Sequence, residues 1–223
     1  MSQPGRVRMS PDSRREQLLE HGVRLLSSRP LDELSIDVLA EEAGISRGLL
    51  YHYFGSKQDF QRAVCRRAAD DLIEVTAPVQ EGTPLERLAK SLEAYVDYVS
   101  ANYAGYVSLV RGAAGGSPHL KEIYEEARSA LTDRIFDQPG PADEGVLEAF
   151  AITDTPLVRL LVRGWSAMAE EVVLSWVREP GDVSRADLIT LLAAALPGVL
   201  PEVAPEVPTG GPAEMPPGPA DPA

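Results

Sequence analysis

A short stretch of the chain carries side chains that can contact nucleic acid. Arg47, Tyr51, His52 and Lys57 lie within eleven consecutive residues. A guanidinium such as that of Arg47 can bind the O6 and N7 atoms of guanine through two parallel hydrogen bonds. Tyr51 and His52 can each hydrogen-bond a phosphate, the Tyr51 ring can instead contact a thymine methyl group, and the Lys57 ammonium suits a phosphate. Because the same side chains also occur on solvated surfaces, the elements that position them decide what they do.

Three hydroxyl groups and a glycine complete this set of candidate contacts. Ser35, Ser46 and Ser56 each precede a run of apolar residues at helical spacing, where a hydroxyl caps the helix and free N–H groups attract a phosphate. Gly48 has no side chain, so the backbone beside it can come close to a groove of DNA. The candidate DNA-contacting residues are Ser35, Ser46, Arg47, Gly48, Tyr51, His52, Ser56 and Lys57.

Short helices must position these side chains. The apolar residues after Ser35 predict a second helix of the chain, and Gly44 supplies the left-handed backbone position that ends it. Ser46 then caps a third helix, Gly55 ends it, and a longer fourth helix follows. The second and third helices, joined by a tight turn, form a helix–turn–helix pattern, whose second helix places its N-terminal residues in the major groove of DNA.

The residues of this pattern resemble a known family. Residues 45–57, ISRGLLYHYFGSK, resemble the recognition helix of the tetracycline-repressor (TetR) family, with its Gly-Val/Ile-Ser start, Leu-Tyr-x-Tyr/His-Phe core and short break with Lys. Residues 31–44 fit the family's second helix, with Ser35 where the family usually has Thr, and the resemblance covers about residues 12–75. It implies a sequence-specific transcription regulator, more commonly a repressor, that binds a palindromic operator as a homodimer and is released by a small apolar or amphipathic ligand.

The excess negative charge of the chain lies outside this region. The net charge is −13 at pH 7, from 21 Lys and Arg against 34 Asp and Glu. Residues 1–70 carry 11 of the basic and 10 of the acidic residues. Phosphate binding depends on basic groups within a Debye length, roughly 8–10 Å, rather than on the sum over the chain. The N-terminal third is therefore compatible with DNA, and the acidic remainder is not.

The period of the apolar residues is helical throughout, which predicts an all-α fold of about nine helices. We expect a flexible arm at 1–10 and a three-helix DNA-binding domain at 11–56. A larger helical domain follows at 57–196, and helix four, from residue 56, links the two. Nine of the 19 prolines lie in residues 197–223, which predicts a disordered tail that follows a last helix ending at 196.

Aromatic rings on predicted inward faces of the larger domain mark a candidate ligand site. The resemblance implies a ligand-binding domain, and such sites are cavities among helices with a few polar anchors. The candidate ligand-binding residues are Tyr95, Tyr98, Tyr103, Tyr106, Tyr124 and Trp165. Core packing is the alternative for each ring, and the sequence does not identify the ligand.

Two late helices favour a homodimer. The predicted helix at 156–178 carries apolar residues on more than one face, so it needs packing partners on more than one side. The helix at 184–196 can complete a four-helix bundle with its twofold mate. The candidate interface residues are Leu160, Gly164, Met168, Leu188 and Leu192.

The location of the protein is predicted from what the sequence lacks. Cys65 is the one cysteine, no apolar run is long enough to span a membrane, and the N-terminus lacks the apolar core of a secretory signal. We therefore expect a cytoplasmic protein with no membrane partner.

Two other classes of protein are alternatives. An enzyme is disfavoured because His21, His52 and His119 show no metal-ligand spacing, and neither a glycine-rich phosphate loop nor a nucleophile elbow is found. We expect no catalysis, metal or cofactor. The second alternative is a helical ligand-carrying or adaptor protein that retains the helix–turn–helix as a scaffold. Arg47 and Lys57 argue against it, because a scaffold does not need exposed basic groups at those positions.

Overall fold

The computed structural model describes residues 10–79, 81–136 and 145–200, and these residues form ten α-helices and no strand. The all-α class predicted from the sequence is confirmed. The predicted count of about nine agrees with this; the helix that the sequence did not indicate is α8, a single turn that is too short to show a period. The helices are α1 (Pro11–Ser28), α2 (Ile36–Ala43), α3 (Arg47–Phe54), α4 (Lys57–Val75), α5 (Pro84–Ala101), α6 (Tyr103–Ala114), α7 (Pro118–Asp133), α8 (Val146–Ala149), α9 (Pro156–Arg178) and α10 (Arg185–Val199).

Hydroxyl caps fix where the helices begin. Ser35, Ser46 and Ser56 each accept a hydrogen bond from the backbone N–H three residues ahead, at 3.1–3.3 Å. At α5, Thr83 and Glu86 form a reciprocal capping box, and the hydrogen bonds from Thr83 lower the pKa of the Glu86 carboxyl. A cap of this kind stabilises a helix by about 1 kcal/mol, so these short polar signals set the positions of α2, α3 and α4.

The first four helices share one hydrophobic core. Phe60 and Val64 of α4 are fully buried in it together with leucines of α1, α2 and α3. Gly22 lets α1 lie against α4, because a Cβ at this position would be 2.5 Å from Cγ2 of Val64. The boundary drawn after residue 56 therefore does not separate two cores: most of α4 packs with the N-terminal helices.

A second core holds α5, α8, α9 and α10 together. Val96 of α5, Val162 of α9 and Leu196 of α10 are fully buried there. The indole N–H of Trp165 donates to the carbonyl of Leu192 at 3.1 Å, which ties α9 to α10. This core contains no residue of the first four helices.

Helices α6 and α7 connect the two cores. α7 contributes Ile123 and Ala127 to the first core. α6 packs against α1 so closely that a Cβ on Gly105 would lie 2.5 Å from Cγ of Leu26. The larger domain is thus joined to the helix–turn–helix through side-by-side helix contacts as well as through the chain itself.

The last helix is longer than the sequence predicts. α10 continues through Pro197 to Val199, and Leu200 is buried. The predicted start of the disordered tail is therefore wrong for residues 197–200. Pro197 has no N–H to donate, but burial of Leu196 and Leu200 in the second core favours the extra turn. The rest of the predicted tail, 201–223, and the arm at 1–9 lie outside the described residues.

Candidate nucleic-acid interface and internal cavities

The turn between α2 and α3 is built by a glycine in the left-handed conformation. Gly44 has φ +63° and ψ +36°. Its amide donates to the carbonyl of Glu41 at 3.3 Å, and the amide of Ile45 donates to that of Ala40 at 3.1 Å. These two bonds form a Schellman motif, which satisfies the last carbonyls of α2 and turns the chain sharply into α3.

One face of α3 is buried and the other is open to solvent. Leu50 and Phe54 pack into the first core. Arg47 and His52 are exposed, and half of the Tyr51 side chain is exposed. Among the eight candidate DNA contacts, six are exposed and two, Ser35 and Ser56, are half-buried at the N-termini of α2 and α4. The helix–turn–helix therefore presents a polar and aromatic surface that nothing in the described chain covers.

Arg47 and Lys57, two cationic side chains of this surface, each bond to a residue outside their own helix. Nε of Arg47 lies 2.7 Å from Oδ1 of Asp37 at the start of α2, and both side chains are more than half exposed. Nζ of Lys57 donates to the carbonyl of Asp32 at 2.9 Å. The sequence reasoning missed Asp37, because an acid in the first turn of a helix is expected there for the helix dipole alone. Exposed pairs of this kind are weak, so an anion can displace them.

The predicted tyrosines line a cavity between the two cores. Tyr95, Tyr98, Tyr106 and Tyr124 surround a space of about 70 Å³, the tyrosine cavity. Its other walls come from residues of α1 and α4, including Leu26, and from residues of α6, α7 and α9. Tyr103 is not part of this wall. A ligand in the tyrosine cavity would contact the helices that support the helix–turn–helix.

A hydrogen-bond network crosses the tyrosine cavity and ends on Glu170. Tyr106 donates to Oε1 of Glu170 at 2.7 Å and Tyr124 donates to Oε2 at 2.5 Å. Since the Tyr106 proton is used in this way, Tyr95 is the donor in the Tyr95–Tyr106 bond of 2.9 Å. Arg128 donates to the Tyr124 hydroxyl at 3.4 Å, and its Nε is buried without a partner in the described chain. Side chains of α5, α6, α7 and α9 are therefore joined in one network that is centred on the Glu170 carboxylate.

Burial keeps the phenol and thiol groups of this cavity in their neutral forms. It raises the pKa of Tyr95 and Tyr106 far above the usual value, and Glu170 raises both further. Burial and the bond to Glu170 raise the pKa of Tyr124 to about 12. The Cys65 thiol, which also lines the cavity, has its pKa raised to about 12 by burial alone. The tyrosines therefore remain hydrogen-bond donors at neutral pH, and Cys65 packs as a small apolar group.

Trp165 lies in a second, adjoining space rather than with the tyrosines. This tryptophan cavity, of about 150 Å³, is bounded by Trp165, Leu88 and Leu92, by the α7 end near Arg134, by the loop before α5 and by the start of α8. Tyr95 and Glu170 line both cavities, so the two adjoin along that pair. Tyr103 lines neither space, so the structure does not support it as a ligand contact.

The candidate dimer residues divide into two groups. Leu160 and Met168 of α9 are exposed, as is Gly164, which has no neighbouring atom within 4 Å of a built Cβ. Leu188 and Leu192 of α10 are 5% and 3% exposed, because they face the second core, and they are not available to a partner.

The exposed apolar side chain of α10 is the neighbour of a predicted one. Leu191 is 66% exposed, whereas Leu192 is buried. Successive residues of an α-helix point about 100° apart, so one position moves a side chain from the core to the surface.

Three charged residues near the cavities escaped the sequence reasoning. Glu170 lies in α9, Arg128 lies in α7 and Arg134 directly follows α7, and the sequence prediction names none of them. One signal in the sequence pointed to Glu170: α9 has no Lys or Arg four residues away that could pair with it. A charged residue on an inward stripe then needs a partner from another helix. Within the described ranges, no three His, Cys, Asp or Glu side chains gather closely enough to hold a metal ion. None of the described helices combines the length and apolar character needed to cross a membrane.

Two family models match this chain, one in the N-terminal helices and one in the helices that follow. The family model for bacterial regulatory proteins, tetR family, matches residues 18–64. A second model, for the tetracyclin repressor-like C-terminal domain, matches residues 84–196. The first match covers the helix–turn–helix and the start of α4, and the second extends from the start of α5 into α10.

Individual proteins show the same likeness. A solved structure of a tetR-family regulator from Streptomyces coelicolor is 32% identical, with a TM-score of 0.72, and the match covers 86% of this chain and 82% of that one. The transcriptional activator FasR of Mycolicibacterium smegmatis is 29% identical over 132 residues, 58% of this chain and 60% of that protein. The transcriptional repressor KstR2 of Mycobacterium tuberculosis is 32% identical over 104 residues, 46% and 52% of the two chains. The chain thus matches about half to three-fifths of the length of these two relatives.

Proposed function

The chain belongs to the tetR family of bacterial regulatory proteins, and we propose that it is a transcription regulator whose α3 binds operator DNA. One observation carries this proposal: the left-handed turn at Gly44 sets α3 on the surface with Arg47, Tyr51 and His52 exposed together. A helix in this setting fits the major groove of B-DNA, which is about 12 Å wide.

Each candidate contact has a role in this proposal. Arg47 leaves Asp37 and reads a guanine, because a bidentate pair with O6 and N7 is stronger than its exposed ion pair. Tyr51 and His52 contact the adjoining bases and phosphates. Lys57 binds a phosphate beside the N-terminus of α4. The hydroxyls of Ser35, Ser46 and Ser56 cap the N-termini of α2, α3 and α4, whose amides face the DNA backbone. Gly48 lets α3 approach the DNA closely.

An uncovered apolar stripe supports a homodimer. Leu157 and Leu160 of α9 are 57% and 64% exposed, and the stripe continues through Gly164 to Met168 and Val172. Leu191 adds an exposed group on the neighbouring α10. A contiguous apolar surface of this kind marks an interaction site, and a twofold pairing of α9 and α10 buries it against itself. Such a dimer sets two copies of α3 about 34–36 Å apart, one turn of DNA, and so favours a palindromic operator.

We further propose that the protein acts in the cytoplasm as a repressor and that a small apolar or amphipathic ligand releases it. The matched relatives include a named activator and a named repressor. The effect of such a protein on transcription depends on where its operator lies relative to the promoter. Ligand release is supported by the tyrosine cavity, whose wall includes α1 and α4. A ligand that fits better when these helices move apart shifts the population away from the DNA-binding arrangement.

Selection of duplexes from a random-sequence library, followed by fluorescence anisotropy at two salt concentrations, tests the DNA-binding proposal. We expect a palindromic site with a steep salt dependence. Arg47→Ala should lose about 1–3 kcal/mol of binding and its preference at one base pair, whereas Lys57→Ala should weaken all sequences alike and reduce the salt slope by about 1. Arg178→Ala, at the exposed end of α9, is the matched control and should change neither.

Two results would contradict the proposal. If no sequence is enriched in the selection, the helix–turn–helix is a scaffold, as in the alternative of a ligand-carrying or adaptor protein. If Arg47→Ala binds the selected site with unchanged preference, α3 does not read the bases.

A further inference from the structure

The tryptophan cavity has a cationic group at one end and apolar walls elsewhere. We propose that it binds an amphipathic anion, an apolar chain with one carboxylate or phosphate head, and that Arg134 binds the head and couples it to α4. This inference names the ligand class and rests on the proposed function only for its effect on DNA binding.

Arg134 is a half-buried guanidinium that faces the cavity without an acidic partner. It lines the tryptophan cavity at the C-terminus of α7. No Asp or Glu in the described chain forms an ion pair with it, and its hydrogen bonds go to a carbonyl and a hydroxyl. Those two bonds occupy two of its five N–H donors. Burial lowers the pKa of Arg134, because the charge is only partly compensated, so an anion beside it would be favoured.

The geometry of a guanidinium explains why the ligand should be an anion with a planar or tetrahedral oxygen head. Its N–H groups form a rigid fork that binds two oxygens of a carboxylate or phosphate at once. Ser91 also lines this cavity, and its hydroxyl can donate to the same head.

The remaining walls suit an apolar chain. Leu88, Leu92, Ile135, Val146 and Trp165 line the space beyond the guanidinium. Their side chains are also part of the second core or pack against it, so the cavity is a gap within apolar packing.

The other charged groups around the cavity leave Arg134 as its available cation. Arg87 also lines it and donates to the carbonyl of Gly82 at 3.2 Å, among other contacts, so it is engaged. Glu170 lies where the cavity meets the tyrosine cavity, and its two oxygens already accept hydrogen bonds from tyrosine hydroxyls. An anionic head is therefore favoured at Arg134 and disfavoured near Glu170. This sets the orientation of the bound ligand, with its head at Arg134.

Arg134 links this site to the helix that begins beside the DNA-binding surface. Its Nη2 donates to the carbonyl of Ile73 at 2.5 Å and its Nη1 to the Thr76 hydroxyl at 3.2 Å. Thr76 is buried and follows the last residue of α4, whose first residue is Lys57. A cation at the C-terminus of a helix compensates the unpaired carbonyls. A ligand head that draws the guanidinium into the cavity weakens this hold on α4, and operator DNA is released.

Trp165 provides a direct measurement of binding. The chain has two tryptophans, and a Trp176→Phe background leaves Trp165 in the cavity wall as the only indole. Titration of its fluorescence with decanoate, decyl phosphate, decan-1-ol and decylamine, all with one chain length, separates the effect of the head from that of the chain. We expect that at least one of the two anions binds saturably and at least tenfold more tightly than the alcohol. The amine should bind no more tightly than the alcohol.

Substitution of the guanidinium separates a binding role from a structural one. Arg134→Gln should weaken the anion by about tenfold to a hundredfold, as expected for a charge-assisted hydrogen bond, and change the alcohol by less than about twofold. Arg178→Gln, the same change at an exposed site, should change neither. Far-UV circular dichroism and thermal unfolding confirm that Arg134→Gln is folded. Equal affinity for alcohol and anion, preferred binding of the amine, or an equal loss of both ligands in Arg134→Gln would each overturn the proposal.

A second readout distinguishes failure of this inference from failure of the proposed function. With the selected duplex, the anion should lower the affinity of the wild type and leave that of Arg134→Gln unchanged. If the duplex is bound but the anion changes neither fluorescence nor DNA affinity, the inference is wrong and the proposed function stands. If no duplex is selected while the anion binds through Arg134, the ligand site stands and the proposed function is wrong. If the anion binds but does not alter DNA affinity, the coupling through α4 is wrong.

Discussion

The contact between α1 and α6 makes Gly105 the most demanding glycine of the fold, and Gly105→Ala tests it. A Cβ at this position would lie 2.5 Å from Cγ and 2.7 Å from the carbonyl oxygen of Leu26. The first atom can move with its side chain, but the second belongs to the backbone of α1. Alanine therefore forces the two helices apart, rather than only changing a rotamer.

The magnitude follows from two opposing effects. Overpacking a close contact costs about 1–3 kcal/mol. Replacing a helical glycine by alanine returns about 0.5–1 kcal/mol through the lower entropy of the unfolded chain. We expect a net loss of about 1–2 kcal/mol, which lowers the Tm of a chain of this size by about 2–8 °C. The separation of the helices also disturbs the hydrogen bond from the amide of Leu31 to the Ser108 hydroxyl, 3.1 Å long.

Two matched glycines make the assay informative. Gly112 lies in the same helix, but a Cβ there would meet only the flexible end of Leu120, at 2.4 Å, so its alanine variant should lose less. Gly48 has no atom within 4 Å, so Gly48→Ala should be neutral or stabilising. Thermal and urea unfolding at one protein concentration would rank the three variants. A Gly105→Ala protein as stable as the wild type, or no less stable than Gly112→Ala, would refute the close α1–α6 contact.

Three further predictions concern the cavity, the surface and the pH dependence. Glu170→Gln leaves one of the two tyrosine donors without an acceptor and should lower the free energy of unfolding by about 1–3 kcal/mol; an unchanged urea midpoint would argue against the network. Leu192→Ala should cost about 2–5 kcal/mol of stability, whereas Leu191→Ala should leave the fold intact and weaken self-association in sedimentation equilibrium. The reverse pattern would place Leu192 at the interface. Since burial raises the pKa of Cys65 from 9.0 to about 12, its stabilising effect is complete below pH 9 and is lost as the pH rises toward 12. The urea midpoint should therefore fall less between pH 8 and 10.5 in Cys65→Ser than in the wild type, and an equal fall would contradict the burial of the thiol.

The helix–turn–helix could be predicted from the sequence because its signals are local. Ser35, Gly44, Ser46 and Gly55 each act within four residues of themselves, through a cap or a left-handed turn. Such interactions do not depend on what packs around them. The exposed face of α3 then follows from its two buried residues and the helical period.

The cavities could not be predicted in the same way because they depend on contacts between distant residues. Glu170 receives its hydrogen bonds from tyrosines 64 and 46 residues earlier in the chain, on α6 and α7. The sequence identified the rings but not the acceptor that orients them. The sequence also placed Trp165 in one site with the tyrosines. A ring on an inward stripe can face either of two adjoining cavities, and the sequence does not show which one.

The exposed side of α10 could not be predicted for a different reason. Leu188, Ile189, Leu191 and Leu192 are all large and apolar, so the pattern does not show which side of the helix meets the core. Packing against α5 and α9 decides it, and that packing leaves Leu191 outside. In α9 the buried and exposed stripes are both apolar, but Gly164 marks the exposed one.

The shared wall of the tyrosine cavity limits how modular this protein can be. Val23 and Leu26 of α1 and Ala69 of α4 belong to the first core or pack against it, and they also line the tyrosine cavity together with Leu72 of α4. A chimaera that joined residues 84–200 to the helix–turn–helix of another protein would replace seven of the nineteen residues that line the cavity. Its response to ligand should then depend on the donor of α1 and α4 as well as on the donor of α5 to α10. Changes in what the cavity accepts and changes in the DNA-binding part are therefore constrained to evolve together across this wall.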